Sequence, residues 1–453
     1  MRMHFIAIGG AGMSVIAELL VRQGYQVSGS DRADSPALAR LGSLGARVHV
    51  GHAAEHVAQL GPQDAVVISS AIGPDNPEVR AARDRGVPIL HRSQALALAA
   101  RGKDFVAVAG SHGKTTTSAM LAVALRAAGL DPSFAIGGRV VSLDTGAYQG
   151  EGNVFVAEAD ESDGSFVNYS PRVAIVTNIE ADHLDHYRTA QAYAGAFLEF
   201  AARVQPGGLV ITCADDPGAT GFAAALKERG TRVQTYGVST DADVRIDITH
   251  LAPAQSGARL TSALGAVELD VAVPGEHNLA NATAAWCAGV ELGVDPAQMA
   301  AALGSFTGTA RRFELRGTVA GVRVVDDYAH NPTKVAAAVA TARRAAAGGR
   351  VIAVFQPHLY SRTRDFAEQF ARVLRTADHV LLAPIYPARE EPLPGVSSAL
   401  IADHLDGAEV IEDFAALAAA AAARAEPGDL VVTIGAGDVT ALPELILTEL
   451  GRR

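Results

Sequence analysis

The stretch Phe105-Val-Ala-Val-Ala-Gly-Ser-His-Gly-Lys-Thr-Thr-Thr-Ser118 restricts the fold of this chain more than any other. Phe105 to Ala109 reads as a buried strand, Gly110-Ser111-His112-Gly113 as a tight turn, and Lys114-Thr115-Thr116 as the opening of a helix through Met120-Leu121-Ala122-Val123. A strand led through glycines into a helix N-terminus makes an anion site, because backbone N–H groups converge there and the helix dipole favours negative charge. Lys114 adds a mobile cation for a terminal phosphate, and the Thr115 hydroxyl suits Mg²⁺. Val108 occupies the first glycine position of the generic phosphate loop. An ordinary glycine-rich βα turn would leave the Lys-Thr placement to accident, so the expected ligands are ATP phosphates and Mg²⁺.

A chain of 453 residues exceeds one core, and about three domains are expected. Apolar residues make up 49% and charged ones 19%, as in a well-buried enzyme. The net charge of −11 offers no basic stripe for nucleic acid, so phosphates must be held locally by glycine loops, single cations and metal. Two cysteines, Cys213 and Cys287, fit a reducing cytosol rather than a disulfide framework. No signal peptide or run of transmembrane length is visible. The expectation is a cytoplasmic protein without membrane insertion, a monomer or weak homodimer.

Residues 4–8 read as a strand, Gly9-Gly10-Ala11-Gly12 as a turn and Met13 to Arg22 as a helix, the first βα unit of a Rossmann-type domain. A second strand, Gln26 to Asp31, ends in an acid at the usual distance for a ribose contact. Strands at 65–68 and 87–90 follow. Ala7 stands at the first position of Gly-x-Gly-x-x-Gly, and the motif suits an NAD site, a UDP-sugar site or a structural turn alike. The polar break Arg101-Gly102-Lys103-Asp104 marks a boundary.

Two apolar strands end in acids. Val154 to Glu158 leads into Ala159-Asp160-Glu161-Ser162-Asp163-Gly164, and Val173 to Thr177 into Asn178-Ile-Glu180-Ala-Asp182-His183. If both run parallel to 105–109, these clusters flank the phosphate loop. Oxygen donors there favour Mg²⁺ over a zinc or hydrolase site on Asp182-His183-x-x-His186. Residues 208–275 read as scaffold. Asn278 and Asn281 share one face of a helix start; an N-cap accounts for the first and leaves the second free to pair with an adenine edge. Thr309-Ala310-Arg311-Arg312-Phe313 marks a second boundary. Beyond it, one strand ends in Asp326-Asp327-Tyr328-Ala329-His330-Asn331 and another in Gln356-Pro357-His358-Leu359-Tyr360-Ser361-Arg362. The alanine run 415–423 reads as a surface helix of high propensity.

Gly-Ser-His-Gly-Lys-Thr-Thr-Thr, Glu-Ala-Asp-Glu-Ser-Asp-Gly-Ser-Phe, Asn-Ile-Glu-Ala-Asp-His-Leu-Asp-His-Tyr, His-Asn-x-x-Asn, Arg-Arg-Phe, Asp-Asp-Tyr-Ala-His-Asn-Pro and Phe-Gln-Pro-His-x-Tyr-Ser-Arg-Thr occur in this order over essentially the whole chain. The set resembles the Mur ligases, most closely the alanine-adding type. The resemblance implies an α/β fold in three domains: an N-terminal Rossmann-like UDP-binding domain (1–102), a central parallel-sheet domain of the P-loop ATPase kind (103–310) and a C-terminal Rossmann-like amino-acid domain (311–453). It implies ATP, L-alanine and UDP-N-acetylmuramate as substrates, with Mg²⁺ as cofactor. It also implies roles. Lys114, with Gly110, Ser111, His112, Gly113 and Thr116, would hold ATP phosphates. Thr115 and Glu158 would hold one Mg²⁺, and His183 a second cation. Asn278, Asn281, Arg312 and Asp327 would contact the nucleotide. Tyr328, His330, His358 and Arg362 would form the amino-acid side. Gly10, Ala11, Gly12, Met13 and Asp31 would hold UDP, with Ser70 and Ala71 near the diphosphate and sugar. A tripeptide-recycling ligase of the same family is the nearest rival; an NAD-dependent dehydrogenase or a non-catalytic nucleotide binder would leave Lys114, Glu158 and His183 idle.

Overall fold

The computed structural model describes residues 1–388 and 390–453, with Asp185 described in its backbone only. Three sheets follow one another along the chain. The first holds β1 (Arg2–Ile6), β2 (Gln26–Asp31), β3 (Arg47–Val50), β4 (Ala65–Ile68) and β5 (Ile89–His91), parallel throughout in the order β3-β2-β1-β4-β5. The first strand stops at Ile6, short of the expected residue 8, because Ala7 turns into the left-handed region at φ 61°.

The second sheet contains β6 (Asp104–Ala109), β7 (Ser133–Val140), β8 (Thr145–Tyr148), β9 (Val154–Glu158), β10 (Val173–Val176), β11 (Leu209–Cys213), β12 (Val233–Gly237), β13 (Val244–Leu251), β14 (Ser256–Ser262) and β15 (Gly265–Val271). Its order is β15-β14-β13-β12-β11-β10-β6-β9-β7-β8. Helices cover both faces of its centre, which is why β6, β10 and β11 read as unbroken apolar runs rather than alternating ones. The third sheet holds β16 (Glu314–Val319), β17 (Val322–Asp327), β18 (Val351–Phe355), β19 (His379–Leu382), β20 (Glu409–Val410) and β21 (Leu430–Ile434), in the order β16-β17-β21-β18-β19-β20. Among the described residues, only the β16–β17 pair in it is antiparallel.

Four helices begin with an Asx-Pro step: Asn76-Pro77, Asp216-Pro217, Asp295-Pro296 and Asn331-Pro332. In each, the side chain accepts from first-turn N–H groups while proline supplies a helical φ where no hydrogen bond is needed. The alanine run forms the helix Phe414–Arg424, yet it buries Leu417, Ala418, Ala421 and Ala422, so it packs one face on the core instead of riding on the surface.

By contacts the chain divides into two compact units. One comprises Met1–Thr249, Gly257–Val271 and Glu276–Thr307, and so carries the first two sheets. A single apolar cluster runs through it from Phe5 and Leu19 by way of Ala99 to Phe105, Phe155 and Phe166. The other comprises Gly308–Arg453 with His250–Ser256 and Ala272–Gly275. It has a core on each face of its sheet, around Phe355 and Phe370 on one and Val431 and Ile446 on the other.

Candidate active site

Strand β6 lies between β9 and β10, parallel to both, with Val108 opposite Glu158 and Ala109 opposite Val176. The two acidic strand ends therefore meet the turn 110–113 at one edge of the sheet. Gly110 (φ 133°) and Gly113 (φ 83°) shape the turn, and each is also sterically obligatory. A Cβ on Gly110 would stand 2.1 Å from Thr177 Oγ1, and one on Gly113 2.6 Å from Asn281 Oδ1. The second acidic segment fastens the turn from outside. Asn178 Oδ1 accepts from His112 N at 2.8 Å, Ser111 Oγ donates to Glu180 O at 2.7 Å, and His112 Nε2 lies 2.7 Å from Glu180 Oε2.

At the head of the helix Lys114–Ala127, Lys114 Nζ donates to Gly110 O at 2.6 Å and lies 2.7 Å from Glu161 Oε2. Burial works against its charge, but Glu161, Asp160 and Glu158 outweigh burial and hold the ammonium above the ordinary lysine range. Glu161 is itself fully buried and reaches His183, whose Nε2 is 3.6 Å from Oε1. Burial opposes a proton on His183, and Glu161 and Asp182 more than restore it. Glu161 is the group that sequence reasoning passed over. It stood in the quoted acidic run, three residues after Glu158, but spacing alone does not tell which acid of an irregular strand end turns inward.

The test for Mg²⁺ is the donor chemistry. Thr115 Oγ1 donates to Glu158 Oε2 at 3.2 Å, and Gly137 N to Oε1 at 2.7 Å. Adjacent ligands of an octahedral Mg²⁺ with bonds of ~2.1 Å stand about 3 Å apart, so the Thr115–Glu158 pair fits. Among the described residues no three His, Cys, Asp or Glu side chains converge as a metal cage. One hydroxyl and one carboxylate completed by substrate phosphates is the usual protein share of a Mg²⁺ site.

The first sheet brings its own edge to this place within the same unit. Asp31 Oδ2 accepts from Gly9 N at 2.8 Å, which ties the strand-end acid to the turn that carries Gly10, Ala11, Gly12 and Met13. Ser70 Oγ donates to Asp163 Oδ2 at 2.5 Å, next to the exposed Ala71. Arg92 Nη2 is 2.6 Å from Asp160 Oδ2, and its Nη1 would be 3.6 Å from a Cβ on Gly12. One guanidinium thus spans from the glycine turn of the first sheet to the acidic loop of the second.

Asn278 lies within the helix Glu276–Glu291, which starts three residues earlier than an N-cap role requires. That correction follows from Glu276 already being helical. Asn281 Oδ1 accepts from Thr117 Oγ1 at 3.2 Å, so it also braces the phosphate-loop helix. Thr116 is half-buried.

In the other unit, β17, β21 and β18 run parallel, and the ends of β17 and β18 gather Tyr328, His330, His358 and Arg362. The rings of His330 and His358 are 5.7 Å apart, and Arg362 Nη1 is 3.4 Å from His358 Nδ1. Burial, then Lys334, drives the His330 pKa well below the usual imidazole range. Its Nδ1 donates to Tyr328 O at 2.9 Å, which leaves Nε2 as the basic atom. Asp327 accepts from Phe313 N and Ala329 N at 2.9 and 2.8 Å, and burial raises its pKa despite the nearby Arg312. The Arg312 guanidinium sits 5.2 Å from the Tyr328 ring centroid. Leu359, between His358 and the helix Tyr360–Leu374, holds φ 71° and ψ 135°, a strained backbone for a side chain of its size. Glu390 steadies that helix start by accepting from Ser361 N at 2.9 Å.

Comparison with known proteins accounts for the whole chain. Family models match in succession: the Mur ligase family catalytic domain over residues 2–104, the Mur ligase middle domain over 108–289, and the Mur ligase glutamate ligase domain over 311–437. A protein of Kineococcus radiotolerans named UDP-N-acetylmuramate–L-alanine ligase is 54% identical, over 100% of this chain and 97% of its own length. One of the same name from Paenarthrobacter aurescens is 51% identical, over 99% and 97%. The crystal structure of the UDP-N-acetylmuramate-alanine ligase from Thermotoga maritima superposes with a TM-score of 0.81 at 29% identity, over 99% of this chain and 98% of that one. A murein peptide ligase from Psychrobacter arcticus superposes with a TM-score of 0.72 at 25% identity, over 100% and 99%.

Proposed function

The chain belongs to the Mur ligase family, and we propose that it joins L-alanine to the carboxylate of UDP-N-acetylmuramate with ATP, forming UDP-N-acetylmuramoyl-L-alanine, ADP and phosphate for peptidoglycan synthesis. The observation that carries this reading is the full-length similarity to ligases of that name, at 54% identity, in a chain whose phosphate loop, acidic strand ends and glycine turn share one unit.

The chemistry explains the residues. A carboxylate is a poor electrophile, so the γ-phosphoryl of ATP is first transferred to the muramyl carboxylate. The alanine amine then attacks the acyl phosphate and expels phosphate. Both steps crowd anions, and catalysis rests on positioning and charge neutralisation. Lys114 would bind the β- and γ-phosphates and follow the γ-phosphate, with the N–H groups of Gly110 to Thr116 around it. Thr115 and Glu158 would hold Mg²⁺ and His183 a second cation; bound metal would supply Lewis-acid neutralisation of phosphate charge. Asn278, Asn281, Arg312 and Asp327 would contact the nucleotide. Gly10, Ala11, Gly12, Met13 and Asp31 would hold UDP, with Ser70 and Ala71 beside the diphosphate and sugar. Arg362 would take the alanine carboxylate, with Tyr328 and His358 at its side. Neutral His330, with Nε2 free of the Tyr328 bond, is equipped to receive the proton that the alanine ammonium must lose.

This reading divides the chain into 1–102 for UDP-sugar, 103–310 for ATP and Mg²⁺, and 311–453 for the amino acid. Among the described residues no helix is long and apolar enough to cross a membrane, and two free buried cysteines support a cytoplasmic setting. The experiment is phosphate release with each substrate omitted in turn, followed by a panel of L-alanine, glycine, L-serine and a murein tripeptide. Release that requires both UDP-N-acetylmuramate and L-alanine is expected. Equal release without the sugar nucleotide overturns the ligase reading, and preference for the tripeptide transfers the chain to the recycling reaction.

A further inference from the structure

Away from the phosphate loop, a cavity of about 680 Å³ lies where Arg2, Gln26 and Arg47 begin β1, β2 and β3. Asp31 and the glycine turn lie at the carboxyl ends of the same parallel strands, so the cavity and the proposed UDP edge are at opposite ends of one sheet. The volume is that of a small-molecule pocket, roughly 300–1,000 Å³.

One wall consists of imidazoles. His49 and His56 stack with centroids 4.1 Å apart and planes 14° off parallel. Behind His56 stands Glu78, fully buried, with Oε1 2.7 Å from His56 Nδ1. The same carboxylate meets His4 Nε2 at 3.4 Å and His52 Nδ1 at 3.2 Å, and accepts from Ser30 Oγ at 2.6 Å. A carboxylate so enclosed demands a compensating positive charge. Because it only accepts, His56 Nδ1 carries the hydrogen of that bond, and His56 Nε2 is left without a partner among the described residues. Neutral, Nε2 offers a lone pair; protonated, it offers a charged donor.

The other charges on the lining nearly cancel. Arg2 is neutralised by Asp64 at 2.7 Å, and Glu55 offsets Arg47, which has no ion-pair partner among the described residues. Burial, followed by His56, His4 and Arg47, pushes the His49 pKa down. A proton on His56 Nε2 would give the cavity a second charged donor besides Arg47.

We propose that this cavity is a second ligand site, which takes a phosphate monoester on Arg47 and the protonated Nε2 of His56, with Glu78 supporting the imidazolium from behind. Tyr25 and the His49 ring offer flat surfaces for the organic part.

Sulfate is the probe, because its charge is constant between pH 6 and 8 and any pH dependence belongs to the protein. The full-length chain is saturated with UDP-N-acetylmuramate and a non-hydrolysable ATP analogue, and the histidine ring resonances are followed by NMR. Sulfate should move the His49 and His56 resonances, and its affinity should be lower at pH 8 than at pH 6, because the proposed bound state holds a proton on His56 Nε2. Glycerol phosphate should displace it. Arg47→Ala, at an exposed position, should weaken binding about tenfold with ligase turnover unchanged, and His56→Asn should abolish the pH dependence. Equal affinity at both pH values, unchanged affinity in Arg47→Ala, or shifts confined to His112 and His183 would each overturn the proposal.

Discussion

Lys114 and Glu161 form a buried ion pair, with Nζ 2.9 Å from Oε1 and 2.7 Å from Oε2, and the same carboxylate faces His183. The cation proposed to bind phosphate is therefore already held on a carboxylate anchor. Lys114→Met should reduce phosphate release to background while UDP-N-acetylmuramate binding, measured by calorimetry, stays within about threefold, since the glycine turn of the first sheet is untouched. It should also destabilise by about 3–5 kcal/mol, because the buried carboxylate is left alone. Lys114→Met with Glu161→Gln should regain most of that stability and none of the turnover. Loss of sugar-nucleotide binding in the single variant would contradict the division of roles.

Ala7 occupies the left-handed region at φ 61°, where glycine is unstrained. Ala7→Gly should raise the denaturant midpoint, by about 1 kcal/mol of stability. A lower midpoint would show that the turn gains more from a stiffer unfolded chain than it loses to strain.

Glu78 is buried against three imidazoles. Burial pulls its pKa up, but His4, Ser30 and His56 bring it down from 4.5 to about 2. A carboxylate whose folded pKa is depressed stabilises fully above its unfolded value and loses that contribution as pH falls through the folded one. Glu78→Gln should thus cost roughly 3 kcal/mol at neutral pH, and the gap from the native chain should close between pH 4.5 and about 2 in thermal melts. A gap independent of pH would refute the ionic reading.

His330 is neutral well below physiological pH, and its Nδ1–H is committed to Tyr328 O. Replacing it, His330→Gln, should lower kcat by about 10²–10³. Acyl phosphate trapped with hydroxylamine should still accumulate, since phosphoryl transfer precedes amine attack. Failure to form the acyl phosphate would move His330 to the first step.

How much of this was visible in the sequence follows from the range of the interactions. The turn 110–113, the parallel strand ends and the cluster of Tyr328, His330, His358 and Arg362 all follow from local rules: apolar runs, glycine turns, and functional residues at strand carboxyl ends. The cap alternative for Asn278 fails because the helix starts three residues earlier than the local sequence suggests, and helix starts are weakly marked. Glu161 was missed because inward and outward acids alternate only in regular strands. Arg92 reaching Asp160, and Glu78 gathering His4, His52 and His56, join residues far apart in sequence, and only the sheet topology brings them together.

The register of Val108 opposite Glu158 bears on how such a chain can change over generations. Losing or gaining one residue inside β9 would turn Glu158 to the opposite face of the sheet and shift it by ~3.3 Å along the strand, out of reach of Thr115. Volume-conserving substitutions around that strand are tolerated better than length changes, so insertions and deletions in this lineage should fall in the connections on either side of residues 154–158.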